Sequence, residues 1–332
     1  MCLILASAAW CPGVQADEMD FSLSRLSTGD CSATLGGEDL MLGSEGHPAL
    51  LPDGLAFREL VSQLGSAVAP PVLSPVITSG PKGLDVSLDT TVTSIDAGAG
   101  YWQRATRGRG AAAVGTCDGR NLRVRRRLVT NRVRFEKGLP FGLSLGAQVG
   151  MVQRTGTYLV GADIKLALLE EVLRSRVPDL ALRAALTKLV GARDLSLFVT
   201  TLDAVLSDSF VLRERVQLSP FAGAGVLWTR ADTRWVDLTP NIDALSCSAG
   251  GDPVCNAGGL GASNADLAHD VRFPRVSQLR YRAFVGLWLR WNQLALSSSM
   301  TLDAQTPHVG DRGQGPTVAR QWTVSAAPTV IF

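Results

Sequence analysis

Hydrophobic and polar residues alternate along most of the chain from residue 84 onward. In the stretch FGLSLGAQVGMV, residues 141–152, apolar side chains from Phe141 to Met151 occupy every second position, and small or polar residues fill the positions between them. A period of two places alternate side chains on opposite faces of a β-strand. The stretch is therefore predicted as a strand with one apolar face and one face that is almost bare.

The same alternation recurs in ten segments, most of which span ten to thirteen residues. Strands of soluble proteins are mostly about five or six residues long, whereas a tilted strand needs about nine to eleven residues to cross a bilayer. The pattern predicts an all-β protein, an antiparallel transmembrane β-barrel of about ten strands over 81–332. The second, fifth and sixth strands are weakly bounded, so about eight to twelve strands are compatible with the pattern.

The predicted connections between strands differ in length at the two ends of the barrel. The long ones are 96–120, 229–276 and 304–320, all at one end, and the short ones at the other end are 137–140, 171–178, 207–214 and 291–293. Outer-membrane barrels have long extracellular loops and short periplasmic turns. This asymmetry favours a membrane barrel over a soluble sandwich.

On the apolar face of the predicted strands, aromatic residues lie near the strand ends, and Leu, Val, Ile and Ala lie in the central part of each strand. They are Tyr158, Trp228, Tyr281 and Trp322 near the outer ends, and Phe135, Phe141, Trp291 and Phe332 near the inner ends. Aromatic rings suit the headgroup level of a bilayer, so these eight residues are predicted to form an aromatic belt at each interface.

The last strand, VSAAPTVIF, ends in the aromatic Phe332, and Val330, Ala326 and Val324 precede it at alternating positions. In this the chain resembles the outer-membrane β-barrel proteins of Gram-negative bacteria, as do the fragments KGLPFGLSLG and SPFAGAGVLW. The resemblance covers about 84–332. It implies a location in the outer membrane, contact with membrane lipid and lipopolysaccharide, and recognition of the C-terminal strand by the barrel-assembly machinery. It implies no particular activity.

The first eighty residues follow another pattern. Residues 1–16 hold an apolar block and a small-residue cleavage pattern, which predicts a signal peptide; its basic n-region is missing, so a truncated signal is expected. Residues 17–80 are predicted as an N-terminal periplasmic segment. Within it, apolar residues at helical spacing predict an amphipathic helix over 55–68 that serves as a structural cap or plug.

Composition narrows the functional classes. The chain is 46% hydrophobic and 19% charged, with 34 glycines and a net charge of +2, which argues against a nucleic-acid partner and against a cytosolic α/β enzyme. Cys247 and Cys255 lie in one loop and are a candidate disulfide, and Cys31 and Cys117 form a second candidate pair. The cysteine spacing does not fit a zinc site, so neither a metal nor a cofactor is expected.

Charged residues at the alternate strand positions that face the lumen are the candidate functional residues of a barrel. The predicted lumen-lining set is Asp85, Asp89, Asp163, Lys165, Arg183, Arg280, Arg282, Trp288 and Arg290. A barrel of about ten strands is narrow, so interior ion pairs in a nearly closed lumen are favoured. The alternative is a narrow channel that favours anions.

A basic cluster at the outer end of the second strand is a candidate contact for the phosphates of lipopolysaccharide, and a solvated strand end explains it equally well. The cluster consists of Arg123, Arg125, Arg126 and Arg127. The sequence thus predicts a structural or surface-exposed membrane barrel or a narrow channel. The alternatives are a barrel-embedded hydrolase that uses the outer-loop residues His269 or His308, and a soluble secreted β-sandwich or lipocalin-like binder. No catalytic residue is assigned.

Overall fold

The computed structural model describes residues 17–28, 51–108, 120–169, 178–213, 216–238, 270–304 and 318–332. Ten long strands account for most of them. In chain order they are β1 Leu84–Ser94, β2 Arg127–Gly138, β3 Leu143–Val152, β4 Tyr158–Leu169, β5 Asp179–Val190, β6 Leu195–Ser207, β7 Val216–Thr233, β8 Val276–Trp291, β9 Leu294–Asp303 and β10 Trp322–Ile331.

These ten strands form one closed antiparallel barrel. Each strand pairs with its neighbours in sequence, and β10 pairs with β1 along most of its length, which closes the sheet. The prediction of an all-β barrel of about ten strands is confirmed. Shorter strands accompany them: Phe210–Arg213 pairs with the start of β7, Ser27–Thr28 with Leu51–Pro52, and Val236–Asp237 with Asp270–Val271.

Burial along the strands is the reverse of that in a soluble protein. In β6 the residues alternate strictly between buried and exposed: the Leu202 side chain is 56% exposed, whereas its neighbour Asp203 is fully buried. Soluble proteins bury leucine and expose aspartate. An apolar exterior with a polar, paired interior and no open sheet edge is what a bilayer requires of a strand protein. The alternative of a soluble β-sandwich is therefore wrong.

The two ends of the barrel differ as the sequence predicts. At one end, called here the long-loop end, lie the connections 95–126, 153–157, 191–194, 234–275 and 304–321. At the other, the short-turn end, the connections are 139–142, 170–178, 208–215 and 292–293. The first and last strands also meet at the short-turn end, where Phe332 N donates to Leu84 O at 2.9 Å.

The predicted helix forms, and it lies inside the barrel. Helix α1 spans Gly54–Val68, begins after Asp53, whose carboxylate accepts from Ala56 N at 2.9 Å, and is followed by the prolines Pro70 and Pro71, which cannot extend a helix. Every residue from Leu60 to Val68 except Ser66 is buried, so this part of the helix is covered on all sides and not along one stripe.

Beyond α1 the chain runs on through the barrel interior in an extended form until it reaches the start of β1. We call residues 54–77 the plug. Gln63 and Trp102 lie near the long-loop end, while Val76 bonds Ser207 at the short-turn end of β6, so the plug passes along the lumen from the first end towards the second. The sequence predicts a periplasmic segment over 17–80 with a helix that caps or plugs the barrel; the helix lies within the lumen, and the periplasmic location stays a prediction.

The remaining helical pieces lie at the long-loop end. Helix α2, Gly100–Ala105, and a single 3-10 turn, Leu23–Arg25, pack beside the start of α1. Within the described part of the chain, no helix has the length and apolar character that would let it cross a membrane.

Candidate functional site

A network of ion pairs within β2, between β2 and β4 and between β4 and β5 lines the lumen in the half nearer the short-turn end. Arg134 on β2 donates to the carboxylate of Asp163 on β4 at 2.6 Å and to Glu136 at 2.9 Å. Lys165 approaches Glu136 at 3.1 Å, and Arg183 on β5 approaches Asp163 at 3.4 Å. All five side chains are less than a tenth exposed, so each charge depends on its partners rather than on water.

Two further pairs continue the network around the wall. Arg282 on β8 holds Asp203 on β6 through two nitrogens at 2.8 and 3.0 Å, and Arg280 pairs with Asp303 on β9. Asp203 and Arg282 belong to strands that are not adjacent, because β7 lies between them. The contact is possible because β7 carries Gly225 opposite Asp203, where an added Cβ would lie 2.0 Å from the carboxylate oxygen.

A second glycine serves the same purpose on β3. Gly146 lies opposite Asp163, and a Cβ there would lie 2.5 Å from the carboxylate oxygen. The bare face of the stretch at 141–152 therefore leaves room for charged side chains of the adjoining strands. Gly150 of the same face lies opposite Arg132 in the same way, with 2.6 Å between a Cβ and the Arg132 side chain.

The lumen cations also hold the plug. Arg132 donates through Nη2 to the carbonyls of Val68 and Ala69 at 2.9 and 3.1 Å, and Arg183 donates to Pro71 O at 2.9 Å. The last carbonyls of a helix have no partner within the helix and carry partial negative charge. Arginines at the C-terminus of α1 meet both needs.

Other wall residues bind the plug on either side of the C-terminus of α1, towards the two ends of the barrel. Lys165 Nζ donates to Pro75 O at 3.2 Å and Ile77 O at 3.4 Å, nearer the short-turn end. Arg280 donates to Ser62 O, and Gln321 donates to Gln63 O at 3.2 Å, nearer the long-loop end. The plug is thus hydrogen-bonded to the wall along most of its length.

Apolar side chains fill the space that the charges leave. Val72 and Val76 of the plug pack against Phe221 and Phe284 of the wall, with Trp288 beside them. The lumen in this half is therefore packed as a small hydrophobic core.

Aromatic residues close the long-loop end. The buried Trp102 of α2 donates through Nε1 to Gln63 Oε1 at 2.6 Å, and the rings of Phe57 and Phe273 lie 5.0 Å apart. Burial in this cap raises the pKa of the Tyr101 hydroxyl above its ordinary value, and the nearby carboxylate of Asp96 adds to the shift. The cap joins α1 to two loops of the barrel and so holds the first turns of the plug in place.

The structure places the predicted lumen residues as follows. Six of the nine face the lumen and are at least nine-tenths buried: Asp89, Asp163, Lys165, Arg183, Arg280 and Arg282. Asp85 is half-buried and accepts from Ser79 at 2.5 Å, Trp288 is half-buried, and Arg290 lies at the short-turn end, where it donates to Asn292 O at 2.9 Å.

Several wall residues that take part in the network are not among those predicted from the sequence. They are Arg132, Arg134, Glu136, Asp203 and Asp303. The lumen-facing positions of Arg132, Arg134 and Glu136 could be read from the sequence, because Val129, Val133 and Phe135 mark the apolar face of β2 and leave the even positions to the lumen. The alternation of residues along one strand does not show which residue on another strand pairs with each charge.

The other predicted residues lie at the surface or outside the described residues. Seven of the eight belt residues are exposed on the outward face or at its ends, and Trp322 is half-exposed. Arg123, Arg125, Arg126 and Arg127 are exposed, and the Arg127 guanidinium lies 5.6 Å from the centre of the Trp322 ring. Cys31, Cys117, Cys247, Cys255, His269 and His308 lie outside the described residues.

The charged groups of the lumen network are engaged with one another and with the plug. The network carboxylates Glu136, Asp163, Asp203 and Asp303 are all bound to cations of the wall. In the described ranges, no three His, Cys, Asp or Glu side chains come together as a metal site.

Comparison with known proteins returns distant structural similarities. No family model and no curated protein matches the sequence. Among solved structures, Ail of Yersinia pestis with a heparin analogue is 9% identical, with 75% of this chain and 98% of that chain covered and a TM-score of 0.27. Neisserial surface protein A is 10% identical, with 74% and 96% covered and a TM-score of 0.26. The protease OmpT of Escherichia coli is 9% identical, with 80% and 100% covered and a TM-score of 0.29.

Likeness at this level carries no argument about activity. The decisive observation is the barrel itself, which is closed, apolar outside and charged within. The molecule is an outer-membrane β-barrel. Its lumen holds a segment of its own chain.

Proposed function

We propose that this outer-membrane barrel is a closed carrier of its own N-terminal segment, which it holds in its lumen and presents at the cell surface. The observation that carries the proposal is the path of the plug, which enters the lumen at the long-loop end and leaves it at the short-turn end. Contacts from Arg132, Arg183 and Lys165 along this path support a stable, permanent arrangement.

The direction of the plug determines which side of the membrane its first residues face. Short turns of outer-membrane barrels face the periplasm and long loops face the exterior. Residues 17–28 pack at the long-loop end, where Ser22 N donates to Ala105 O and Arg107 N donates to Asp20 O, both at 2.9 Å. This packing favours a surface location for residues 17–28 over the periplasmic one that the sequence suggested.

The packed lumen argues against a constitutive anion channel. Arg280 and Arg282, which such a channel would use, are committed to Asp303 and Asp203 and to carbonyls of residues 62 and 70. An anion in transit would have to displace these partners and the plug together. The hydrolase alternative rests on histidines outside the described residues and stays a prediction.

Labelling of single cysteines in intact cells tests the proposal. In a chain whose own cysteines are replaced by serine, Asp17→Cys should react with a membrane-impermeant maleimide, because residue 17 is exposed at the long-loop end. The matched control is Pro140→Cys, exposed in a turn at the short-turn end, which should react only after the outer membrane is permeabilised. Labelling of Pro140→Cys but not Asp17→Cys in intact cells would overturn the proposal.

A further inference from the structure

Cation–aromatic pairs mark one part of the outward face. The Arg230 guanidinium lies 3.8 Å from the centre of the Trp228 ring, and Lys188 Nζ lies 5.0 Å from that of Phe198. Both pairs lie on the outward face of the barrel, near the long-loop end of their strands. The third cation–aromatic pair of the described residues, Arg127 with Trp322, lies at the same end of the barrel.

Strand register joins the first two pairs into one site. Lys188 on β5 lies opposite Phe198 on β6, Phe198 lies opposite Arg230 on β7, and Arg230 lies opposite Ser277 on β8. We call these four residues the cationic row. Neighbouring strands are about 4.8 Å apart, so the backbone positions of Lys188 and Arg230 are roughly 10 Å apart, with Phe198 between them. Trp228 Nε1 donates to Ser277 Oγ at 2.8 Å, which fixes the indole beside the row.

The charges of the cationic row are not balanced locally. Asp232, one step nearer the loops, is the carboxylate beside the row, and it pairs with Arg275 at 2.9 Å and Arg272 at 3.2 Å. Over the described part of the chain, no ion pair involves Lys188 or Arg230. Both are exposed. Among the described residues, the row therefore presents two positive charges without counter-charges at the edge of the apolar exterior.

Apolar surface lies directly below the row. Leu186, Leu202 and Leu279 are 45%, 56% and 54% exposed on the same face, towards the middle of the barrel. A ligand that contacts both the cationic row and this apolar surface must have an anionic headgroup and hydrocarbon chains. Arginine forms directed hydrogen bonds with phosphate, and lysine adds a point charge.

We propose that the cationic row binds the phosphate monoester of a lipid headgroup in the leaflet at the long-loop end. The phosphate lies between Lys188 and Arg230 above the Phe198 ring, and the acyl chains lie over the leucines below. The site lies on the outward face and does not depend on the plug or on the direction of the N-terminal segment. Its failure would leave the proposed function untouched, and the reverse also holds.

Lipid retention by the folded chain tests this site. The folded full chain in a non-ionic maltoside detergent is titrated with lipid A, a glycolipid that carries phosphate monoesters, and bound lipid is counted by native mass spectrometry. The double variant K188Q/R230Q should bind about 25-fold more weakly, because each surface cation contributes about five-fold. The matched control is Lys137→Gln, which removes an exposed outward cation near the short-turn end and should leave the affinity unchanged.

Further measurements separate the effects of side-chain charge, lipid phosphate and protein folding on the affinity. K188R/R230K keeps both charges and should retain most of the affinity, and the heat-dependent shift of each variant on a gel reports its folding. Dephosphorylated lipid A should bind the unmodified chain as weakly as lipid A binds the double variant. Equal affinity of the unmodified chain and K188Q/R230Q for lipid A overturns the proposal, and so does inorganic phosphate that binds as tightly as the lipid.

Discussion

The two faces of the barrel wall belong to the same strands, but their surroundings favour different kinds of residue. Leu202 and Asp203 are neighbours in β6, yet one side chain faces lipid and the other is bound by two arginines. The outward face requires only that a residue be apolar, because lipid has no directional preference. The inward face requires a particular partner for each charge, because an unpaired buried charge is costly.

The comparison is clearest for two carboxylates that are each shared by two arginines. Asp163 is buried between Arg134 and Arg183 in the lumen. Asp232 lies between Arg272 and Arg275 at the surface, and those arginines are more than half exposed. The contacts have similar lengths, so burial is what distinguishes them. We therefore expect the free energy of unfolding to depend on the buried ion pairs of the lumen and not on the total number of ion pairs.

The largest effect is expected for Asp163→Asn, which leaves two buried arginines short of a counter-charge. The free energy of unfolding should fall by about 3–5 kcal/mol, the usual result of breaking a buried pair by removing one partner. Urea titration of the chain in lipid vesicles, followed by tryptophan fluorescence, measures it. The matched control Asp232→Asn should change stability by about 0–1 kcal/mol. Equal losses in the two variants would show that burial is not the distinguishing factor.

A charge on the lipid face should have the next largest effect. Leu202 lies near the middle of β6 between Ala184 and Val226, so Leu202→Arg places a cation close to the bilayer midplane. The expected loss of stability is about 2–4 kcal/mol, measured by the same titration. Val211→Arg is the control, since Val211 is exposed beyond the short-turn end of β6 and should lose only about 0–1 kcal/mol. Similar losses for both would contradict the assignment of the outward face.

The same contrast explains what could be predicted from the sequence. The period of two gives the faces of the strands, and strand lengths and loop lengths give the barrel, because bilayer thickness and lipid contact act on every strand alike. Helix α1 was predictable within one residue at its start from the spacing of Phe57, Leu60 and Leu64.

The interior of the barrel was not predictable in the same way. Arg282 meets Asp203 across an intervening strand, and Arg132 meets carbonyls of a segment more than sixty residues away. Such partners depend on closure of the sheet and on the path of the plug, which no local pattern encodes. The helical spacing of α1 predicted a cap or plug, but not its path through the lumen or its contacts with the wall.

The smallest of these effects on stability is expected for a substitution that separates the plug from the wall. Gly65 of α1 faces Thr229 on β7, and a Cβ there would lie 2.4 Å from the threonine hydroxyl and 2.6 Å from its methyl group. Gly65→Val should therefore overpack the lumen and destabilise the plug by about 1–3 kcal/mol, while the outward face is unchanged.

Planar-bilayer recording shows whether this loss opens the lumen. The unmodified chain should show no steady conductance, and Gly65→Val should show transient openings as the plug leaves the lumen. Gly100→Ala is the control, because a Cβ at Gly100 meets nothing within 4 Å, and Thr229→Gly added to Gly65→Val should restore the closed state. Steady conductance of the unmodified chain would mean that the polar face of the wall serves an open channel. A closed Gly65→Val barrel of unchanged stability would mean instead that the wall does not depend on the fit of the plug.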